Sequence, residues 1–206
     1  ASLGFAEAAL SEPLSCAIHA VDVLGVREGE SVAIIGAGTM SLLLIQSLAA
    51  RGARIIVVGR NPKNLEIALA AGAHEAISTN DPDHMESIQA MTEGRGPDCV
   101  IEAVGSPKTW QKGISMVRKG GRVCLFGGCA PATEVPIDAH RIHYGQISLF
   151  GVFHHTPKYF LAALNLLGGG YVKTKLLISE SISLEDVPPF FDRMHHQSNP
   201  KVAVIP

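Results

Sequence analysis

Short runs of apolar residues alternate with segments of helical periodicity along almost the whole chain. Six of these runs are continuously apolar rather than alternating with polar residues, which is typical of parallel strands that are buried on both faces. They span residues 31–36, 54–59, 75–78, 98–104, 122–128 and 147–153. The pattern therefore predicts six strands of a parallel sheet.

Helical patterns lie between these runs. They cover residues 40–50, 62–71, 84–92, 107–118 and 157–167. Pro62, Pro107 and Pro157 stand at first-turn positions, where a helix tolerates proline, and glycines follow several predicted helix ends, where a left-handed cap favours glycine. Because repeated strand–helix–strand units require right-handed crossovers, we expect a doubly wound α/β fold with a six-stranded parallel sheet.

Two flanks fall outside this alternation. Residues 1–26 form a helical lead-in, with Pro13 at the start of a helix that runs to about Val23. Residues 176–206 belong to a return segment. A strand-like run that begins one residue earlier, at 175–182, is followed by a short helix near 184–195 and a last strand at 201–206. We therefore expect three parts: the lead-in, a dinucleotide-binding domain at 27–175 and the C-terminal segment.

Composition excludes several classes of protein. Charged residues make up 17% of the 206 residues and hydrophobic residues 47%, so the chain has enough apolar surface to fold and is not disordered. A formal net charge of −2 gives no basic footprint for nucleic acid. The uncharged stretch from Ser31 to Ala50 has the length of a membrane span, but its glycines and polar residues favour a buried strand followed by a buried helix.

The sequence also bears on the compartment. The chain opens without a basic segment, so no signal peptide is visible. Its four cysteines are dispersed without C-x-x-C spacing and are typical of reduced, buried thiols rather than of disulfides or a structural zinc site. We expect a cytoplasmic protein.

The strongest chemical signal is the glycine-rich turn that follows the first strand. In Gly36-Ala37-Gly38-Thr39-Met40-Ser41, Gly36 permits a tight turn and Gly38 lets the backbone approach a pyrophosphate. The N–H groups of Thr39 and Met40 then open the next helix, at its positive end. Ser41 stands where glycine or alanine is usual. Inside a strand–turn–helix unit, this pattern predicts the phosphate site of a Rossmann fold.

The end of the second strand bears on cofactor choice. An NAD site places an acidic residue there, to bond the ribose 2′-hydroxyl, whereas this chain has Gly59, Arg60 and Asn61 and no acid before Glu66. Gly59 is expected to open space, and the guanidinium of Arg60 can bind a 2′-phosphate. The alternative is that Arg60 is a solvated loop residue. We expect NADP to be preferred, with NAD possible.

The remaining strand ends are the next candidate sites, because open parallel sheets bind ligands beyond the carboxyl ends of their strands. Val104, Gly127, Gly128, Val152 and Phe153 follow three such ends and are expected to line the nicotinamide. The alternative for the glycines is that the turns alone require them.

The nine histidines give little support for a metal site. His154-His155 and His195-His196 are adjacent pairs, and we expect such sequence neighbours to point away from one shared ion. Glu12, taken alone, is an ordinary acid at a helix N-terminus.

Together these segments resemble the medium-chain dehydrogenase/reductase family, in its zinc-dependent alcohol, polyol and threonine dehydrogenase branch. The resemblance rests on SEPLSCAIHAVDVLGVREGESVAIIGAGTM, RGARIIVVGR, GRGPDCVIEAVGS, RKGGRVCLFGG and KVAVIP, in this order. The run RIHYGQISLFGVFHHTPKYFLAALNLL is most similar to sorbitol- or iditol-dehydrogenase-like members. The succession of motifs covers essentially the whole chain.

The resemblance implies roles for particular residues. Glu12, in the E-P-L form of polyol and threonine enzymes, falls where the branch carries a ligand or near-ligand of catalytic zinc. Gly59 replaces the NAD-selecting aspartate, and Arg60 follows as in NADP-selective members. The backbone around Val104, Phe126–Gly128 and Val152–His154 falls where the family lines the nicotinamide.

The resemblance also implies an absent part. In the family an N-terminal domain supplies the Cys and His ligands of zinc and the proton relay, so this chain resembles the C-terminal, cofactor-binding half. We expect it to bind cofactor but to be inactive alone, with a single candidate zinc ligand, Glu12. The intact enzyme would transfer hydride between an alcohol or polyol and the nicotinamide.

Three further expectations remain open. The strand at 147–153 should lie at a sheet edge, and such apolar edges are usually covered or paired; the resemblance implies pairing across a two-fold axis, hence a homodimer or a homotetramer. One alternative function is a stand-alone NADP-binding regulatory module. Another is a zinc-free quinone or enoyl reductase.

Overall fold

The six predicted strands form and pair in parallel in one sheet. The computed structural model describes residues 3–194 and 201–205, so the His195-His196 pair and Pro206 lie outside the described residues. The strands are β1 (Ser31–Ile35), β2 (Arg54–Gly59), β3 (Glu75–Ser78), β4 (Cys99–Glu102), β5 (Arg122–Leu125) and β6 (Ser148–Gly151). Their order is β3-β2-β1-β4-β5-β6, which confirms the doubly wound α/β fold.

The helices fall where the pattern predicts them, with additions. They are α1 (Phe5–Ala8), α2 (Ser11–Leu24), α3 (Thr39–Ala49), α4 (Pro62–Ala71), α5 (His84–Met91), α6 (Pro107–Met116), α7 (Ala139–Gly145), α8 (Pro157–Gly168) and α9 (Val187–Met194). Helix α2 begins at Ser11, before the expected start at Pro13. Helix α7 was not predicted, because its sequence is polar and only one of its residues is buried.

Two apolar layers cover the two faces of the sheet. One includes Leu14, Val21 and Leu24 of α2 together with Leu43 and Leu44 of α3, all buried. The other packs residues of α5 and α6 against the opposite faces of the same strands. Helix α2 of the lead-in therefore shares its core with the sheet, while the expected division of the chain after residue 26 stays a prediction.

The C-terminal segment forms a small sheet of its own. Strand β7 (Ile178–Ser183) pairs in parallel with β8 (Lys201–Ile205), and α9 lies between them in the chain. Strand β7 begins three residues later than expected, because Thr174–Leu176 forms a 3-10 turn. No helix in the described parts of the chain is both long enough and apolar enough to cross a bilayer.

Several strands end earlier than the apolar runs do. Strands β4, β5 and β6 stop at Glu102, Leu125 and Gly151, whereas the runs continue to residues 104, 128 and 153. Beyond these ends, Val104 is 52% exposed and Phe153 is 83% exposed. The runs were longer than the strands because they include apolar residues that lie in loops at the carboxyl edge of the sheet.

Ser41, the unusual residue of the glycine-rich turn, provides a test of packing beneath α3. Its side chain is buried and its hydroxyl has no hydrogen-bond partner among the described residues. Since an unpaired buried hydroxyl costs roughly 1–3 kcal/mol, we expect Ser41→Ala to raise the free energy of unfolding by about 1 kcal/mol, as measured by urea denaturation.

Ser47, also buried in α3, provides the matched control. Its hydroxyl donates a hydrogen bond to the Leu43 carbonyl oxygen at 2.8 Å, so Ser47→Ala should leave the stability unchanged or lower it. A Ser41→Ala variant that loses as much stability as Ser47→Ala would contradict this account of the turn.

Candidate cofactor and metal site

The ends of five strands meet in one row across the sheet. Ile35 of β1 is the register partner of Val58 in β2 and of Glu102 in β4, Glu102 pairs with Leu125 in β5, and Leu125 pairs with Gly151 in β6. The segments that the sequence predicts as cofactor-binding begin directly after these five residues. The fold therefore brings them together at the carboxyl edge of the sheet.

Gly36 turns the chain out of β1. Its φ of 113° lies in the region that favours glycine, and its amide donates a hydrogen bond to the Val58 carbonyl oxygen at 2.8 Å. A Cβ at this position would lie 3.1 Å from the Cγ2 atom of Val104. Gly36 is therefore required by the turn itself and by its close contact with the loop after β4.

Gly38 leaves open space where a phosphate would approach. It is the N-cap of α3 with extended backbone, it provides no side-chain cap, and a Cβ built on it would meet nothing within 4 Å. Thr39 and Met40 form the first turn of α3, which contains no acidic residue. The positive end of the helix dipole therefore faces a cradle that a side chain at Gly38 would fill, and the arrangement fits a pyrophosphate.

The glycine at the end of β2 is needed for close packing and does not create open space. A Cβ at Gly59 would lie 2.8 Å from the Cβ of Ala37 and 3.2 Å from Cδ2 of Leu65. The expectation that Gly59 opens space was therefore wrong. Its missing side chain lets the glycine-rich turn pack directly onto the end of β2.

Arg60 and Asn61 differ in their surroundings. The Arg60 side chain is exposed and has no ion-pair partner among residues 3–194 and 201–205. The Asn61 side-chain oxygen accepts hydrogen bonds from the amides of Lys63 at 2.9 Å and Asn64 at 3.4 Å, and so caps α4. Arg60 remains available to a ligand, whereas the Asn61 oxygen is already used.

A buried carboxylate that the sequence analysis missed holds the loop after β4. Glu102 is fully buried, and its Oε1 atom accepts hydrogen bonds from the amides of Val104 at 2.8 Å and Gly105 at 3.0 Å. The signal was present as an acidic residue inside the apolar run DCVIEAV. Glu102 therefore fixes the backbone on which Val104 is presented.

The loop after β5 packs against the same backbone. A Cβ at Gly127 would overlap the amide nitrogen of Gly105, whereas a Cβ at Gly128 would meet nothing within 4 Å. The indole nitrogen of Trp110 donates a hydrogen bond to the Gly127 carbonyl oxygen at 2.9 Å. Gly127 thus joins the two loops, and Gly128 is the glycine that leaves open space.

Val152 and Phe153 complete this edge beyond β6. Val152 is half-buried against the core, and Phe153 is largely exposed, with its ring centroid 3.9 Å from that of His154. Together with exposed Val104 they present apolar side chains around the ends of β4 and β6. Such a lining suits the ring of a nicotinamide.

Glu12 has more possible metal-ligating neighbours than the sequence indicated. The ligand atoms of Glu12, Cys16, His154 and His155 all lie within 4.8 Å of one another. Cys16 Sγ is 3.4 Å from Glu12 Oε1, and His155 Nδ1 is 3.7 Å from each of these two atoms. The expectation of a single candidate ligand was therefore wrong.

The two histidines converge because of their backbone. His154 has a φ of +56°, a left-handed conformation that is uncommon for residues other than glycine. In extended chain, successive side chains point to opposite sides. The left-handed turn at His154 departs from that geometry, and ligand atoms of both histidines lie within 4.8 Å of each other, contrary to the expectation that sequence neighbours point apart. No sequence signal marked this turn.

The surroundings keep the Cys16 thiol protonated. Burial raises the pKa of Cys16, as do the hydrogen bond to the adjacent Glu12 carboxylate and the charge of that carboxylate, and together these effects raise it to about 11. Without a metal ion or another cation, this thiol is therefore a poor nucleophile at neutral pH.

Comparison with known proteins identifies the family of the chain. The sequence profile of the family "Zinc-binding dehydrogenase" matches residues 39–168, which is more than half of the chain. The chain is 33% identical to a sorbitol dehydrogenase of Bacillus subtilis over its whole length, but it spans only 58% of the length of that protein.

Solved structures give the same result. A protein from Sinorhizobium meliloti 1021, described as a zinc-binding dehydrogenase bound to NADP, superposes with a TM-score of 0.90 at 29% identity and covers 96% of this chain and 58% of its own. The alcohol dehydrogenase TADH from Thermus sp. ATN1 gives a TM-score of 0.90 at 28% identity, with coverage of 98% and 60%. The chain belongs to the zinc-binding dehydrogenase family.

Proposed function

We propose that this chain is the cofactor-binding portion of a zinc-dependent, NADP-preferring alcohol or polyol dehydrogenase. The observation that carries the proposal is the open cradle at Gly38, at the N-terminus of α3, together with the exposed guanidinium of Arg60 at the end of β2. The NADP bound to the Sinorhizobium meliloti protein supports the choice of cofactor.

The preference for NADP over NAD depends on charge. A 2′-phosphate needs a cation where NAD needs an acceptor for its ribose hydroxyl. Gly59 cannot accept a hydrogen bond through a side chain, and Arg60 follows it with five N–H donors on a planar group. A bidentate contact with the 2′-phosphate would strengthen the binding of NADP and not that of NAD.

The residues of this chain have separable roles in the proposed reaction. The amides of Thr39 and Met40 bind the pyrophosphate, and Glu102 fixes the loop on which Val104 meets the nicotinamide. Val152 and Phe153 would shield a bound nicotinamide ring from water, and the cofactor would supply hydride-transfer chemistry there.

A zinc ion would act beside this edge. Glu12, with Cys16 and His155 next to it, provides carboxylate, thiol and imidazole ligands of the types that zinc accepts. When bound, zinc supplies Lewis-acid polarisation of the substrate oxygen. The alcohol or polyol class of the substrate is inferred from the relatives, among them the Bacillus subtilis sorbitol dehydrogenase.

Mutation of Arg60 tests the proposed cofactor preference. We expect the chain to bind NADPH more tightly than NADH, because Arg60 contacts only the 2′-phosphate. Arg60→Ala should weaken NADPH binding about 10- to 100-fold, the value of roughly 1.5–3 kcal/mol for a hydrogen bond to a charged group, and leave NADH binding unchanged. Fluorescence titration with both cofactors measures each effect.

Arg95→Ala is the matched control. Arg95 is also an exposed arginine, but it precedes β4 and so lies at the amino edge of the sheet, opposite the candidate site. Its removal should not change either affinity. Equal affinities for NADPH and NADH in the unaltered chain would refute the preference for NADP.

Mutation of Gly38 tests the phosphate cradle without disturbing the fold. The backbone at Gly38 is extended and a Cβ there has free space, so Gly38→Ala should leave the melting temperature unchanged. The methyl group would occupy the approach of the pyrophosphate, and we expect NADPH and NADH to bind at least about 10-fold more weakly. Isothermal titration calorimetry measures the affinities for both cofactors.

Gly168→Ala is the control for this variant. Gly168 also has free space around a built Cβ, but it ends α8 away from the glycine-rich turn. Undiminished cofactor binding in Gly38→Ala would show that the phosphates do not lie against α3.

The exposed edge of the sheet indicates self-association. Strand β6 is the last strand of the sheet, and its outer backbone groups have no partner strand within the described part of the chain. We expect this edge to pair with β6 of a second copy, which gives a homodimer or a homotetramer. Light scattering coupled to size exclusion should report at least twice the monomer mass of 21.8 kDa, and a monomer at all concentrations would contradict this assembly.

A further inference from the structure

Three side-chain atoms on α2 and in the loop before α8 form a compact triangle. Its edges are 3.4 Å from Cys16 Sγ to Glu12 Oε1, 3.7 Å from Cys16 Sγ to His155 Nδ1 and 3.7 Å from His155 Nδ1 to Glu12 Oε1. Tetrahedral zinc has bonds of about 2.0–2.3 Å to such atoms, so neighbouring ligands lie roughly 3.3–3.8 Å apart. The triangle therefore already has the dimensions of one face of a zinc tetrahedron.

We propose that Glu12, Cys16 and His155 bind one divalent transition-metal ion of the zinc or cobalt type with ligands from this chain alone. His154 also has a ring nitrogen within 4.8 Å of the other ligand atoms. The resemblance to known dehydrogenases implicates only Glu12, so Cys16 and His155 are the ligands that this proposal adds. Metal binding by this set does not depend on which nicotinamide cofactor the chain prefers.

The ligand types select the metal. One thiolate, one or two imidazoles and one carboxylate are borderline ligands that suit Zn²⁺ and Co²⁺, whereas Mg²⁺ and Ca²⁺ prefer oxygen ligands alone. On binding, the S–H bond of Cys16 breaks, a sulfur–metal bond forms, and the proton passes to solvent.

The scaffold holds the ligands from two sides. Glu12 and Cys16 are four residues apart on α2 and so lie one turn apart on the same face. One turn further, His19 donates a hydrogen bond from Nδ1 to the His154 carbonyl oxygen at 2.8 Å. This contact fixes the left-handed turn that directs His154 and His155 towards the helix.

The position of His155 is fixed independently. Its ring stacks on Phe160 with centroids 5.9 Å apart, and α8 begins two residues later at Pro157. The exposed fraction of the His155 side chain is 24%, against 55% for Glu12, so the imidazole is the more confined of the two. The site is thus more exposed at Glu12 than at His155.

A cluster of hydrogen bonds without a metal is the competing explanation. The Cys16 thiol donates to Glu12, and a protonated His155 would form an ion pair with the same carboxylate. Such a cluster would hold the loop on α2 equally well. The two explanations differ in whether thiolate–metal bonds form, and optical spectroscopy detects these directly.

The test is a titration of the metal-free 206-residue chain with Co²⁺, followed by Zn²⁺. We expect one equivalent of Co²⁺ to produce a thiolate-to-cobalt charge-transfer band and the intense visible bands of four-coordinate cobalt, and Zn²⁺ to abolish both. Cys16→Ser should remove the charge-transfer band, and His155→Gln should weaken binding at least about 10-fold.

Cys129→Ser and His143→Gln are the matched controls. Cys129 and His143 are outside the cluster, so both variants should retain the spectrum and the affinity of the unaltered chain. Circular dichroism verifies that Cys16→Ser is folded, and Zn²⁺ should raise the melting temperature of the unaltered chain but not that of Cys16→Ser.

The outcomes separate metal binding from the proposed function. Absence of the charge-transfer band in the unaltered chain, or its persistence in folded Cys16→Ser, would overturn the metal site while leaving NADPH binding unaffected. A chain that binds Co²⁺ through Cys16 but does not bind NADPH would support the metal site and contradict the proposed function.

Discussion

The register of the parallel sheet is the constraint on which the candidate site depends. Five residues are register partners across five neighbouring strands: Val58, Ile35, Glu102, Leu125 and Gly151. The loops that follow these strands therefore all begin at the same level along the edge of the sheet. A slip of one residue in any pair would turn buried side chains to the opposite face. The two apolar layers that cover the sheet therefore also fix the relative heights of the loops that bear the cofactor-binding residues.

Much of this arrangement could be predicted from the sequence, because local residue patterns indicate the strands, the helices and the glycine-rich turn. The continuous apolar runs indicated buried parallel strands, and the position of Gly36 and Gly38 between a strand and a helix indicated a phosphate site. The ends of β4, β5 and β6 could not be placed from the sequence. Val104 and Phe153 are apolar, but they lie exposed in loops and not in the core. An apolar residue in a run does not reveal which of these two surroundings it has.

The cluster of Glu12, Cys16, His154 and His155 shows more clearly what local sequence patterns cannot predict. Cys16 and His155 are 139 residues apart in sequence, and their contact depends on the packing of α8 against α2. It also depends on His154, which adopts a left-handed conformation. Because this residue is not a glycine, the sequence does not mark the turn. Gly59 is the converse case. The glycine suggested open space, but Ala37 occupies the position next to it where a side chain would lie. In both cases a tertiary contact decides the role of the residue.

One loop connects the two candidate sites. Val152 and Phe153 are the residues expected to line the nicotinamide, and the next two residues, His154 and His155, belong to the cluster with Glu12 and Cys16. The loop is held by β6 at one end and by Pro157 of α8 at the other, and His19 of α2 binds it in the middle. A shift of α2 would therefore move the metal ligands and the nicotinamide lining together. This coupling follows from chain connectivity, because four consecutive residues cannot change one site without changing the other. It also places the exposed edge of β6 directly beside both sites, so that strand pairing there would brace the loop that they share.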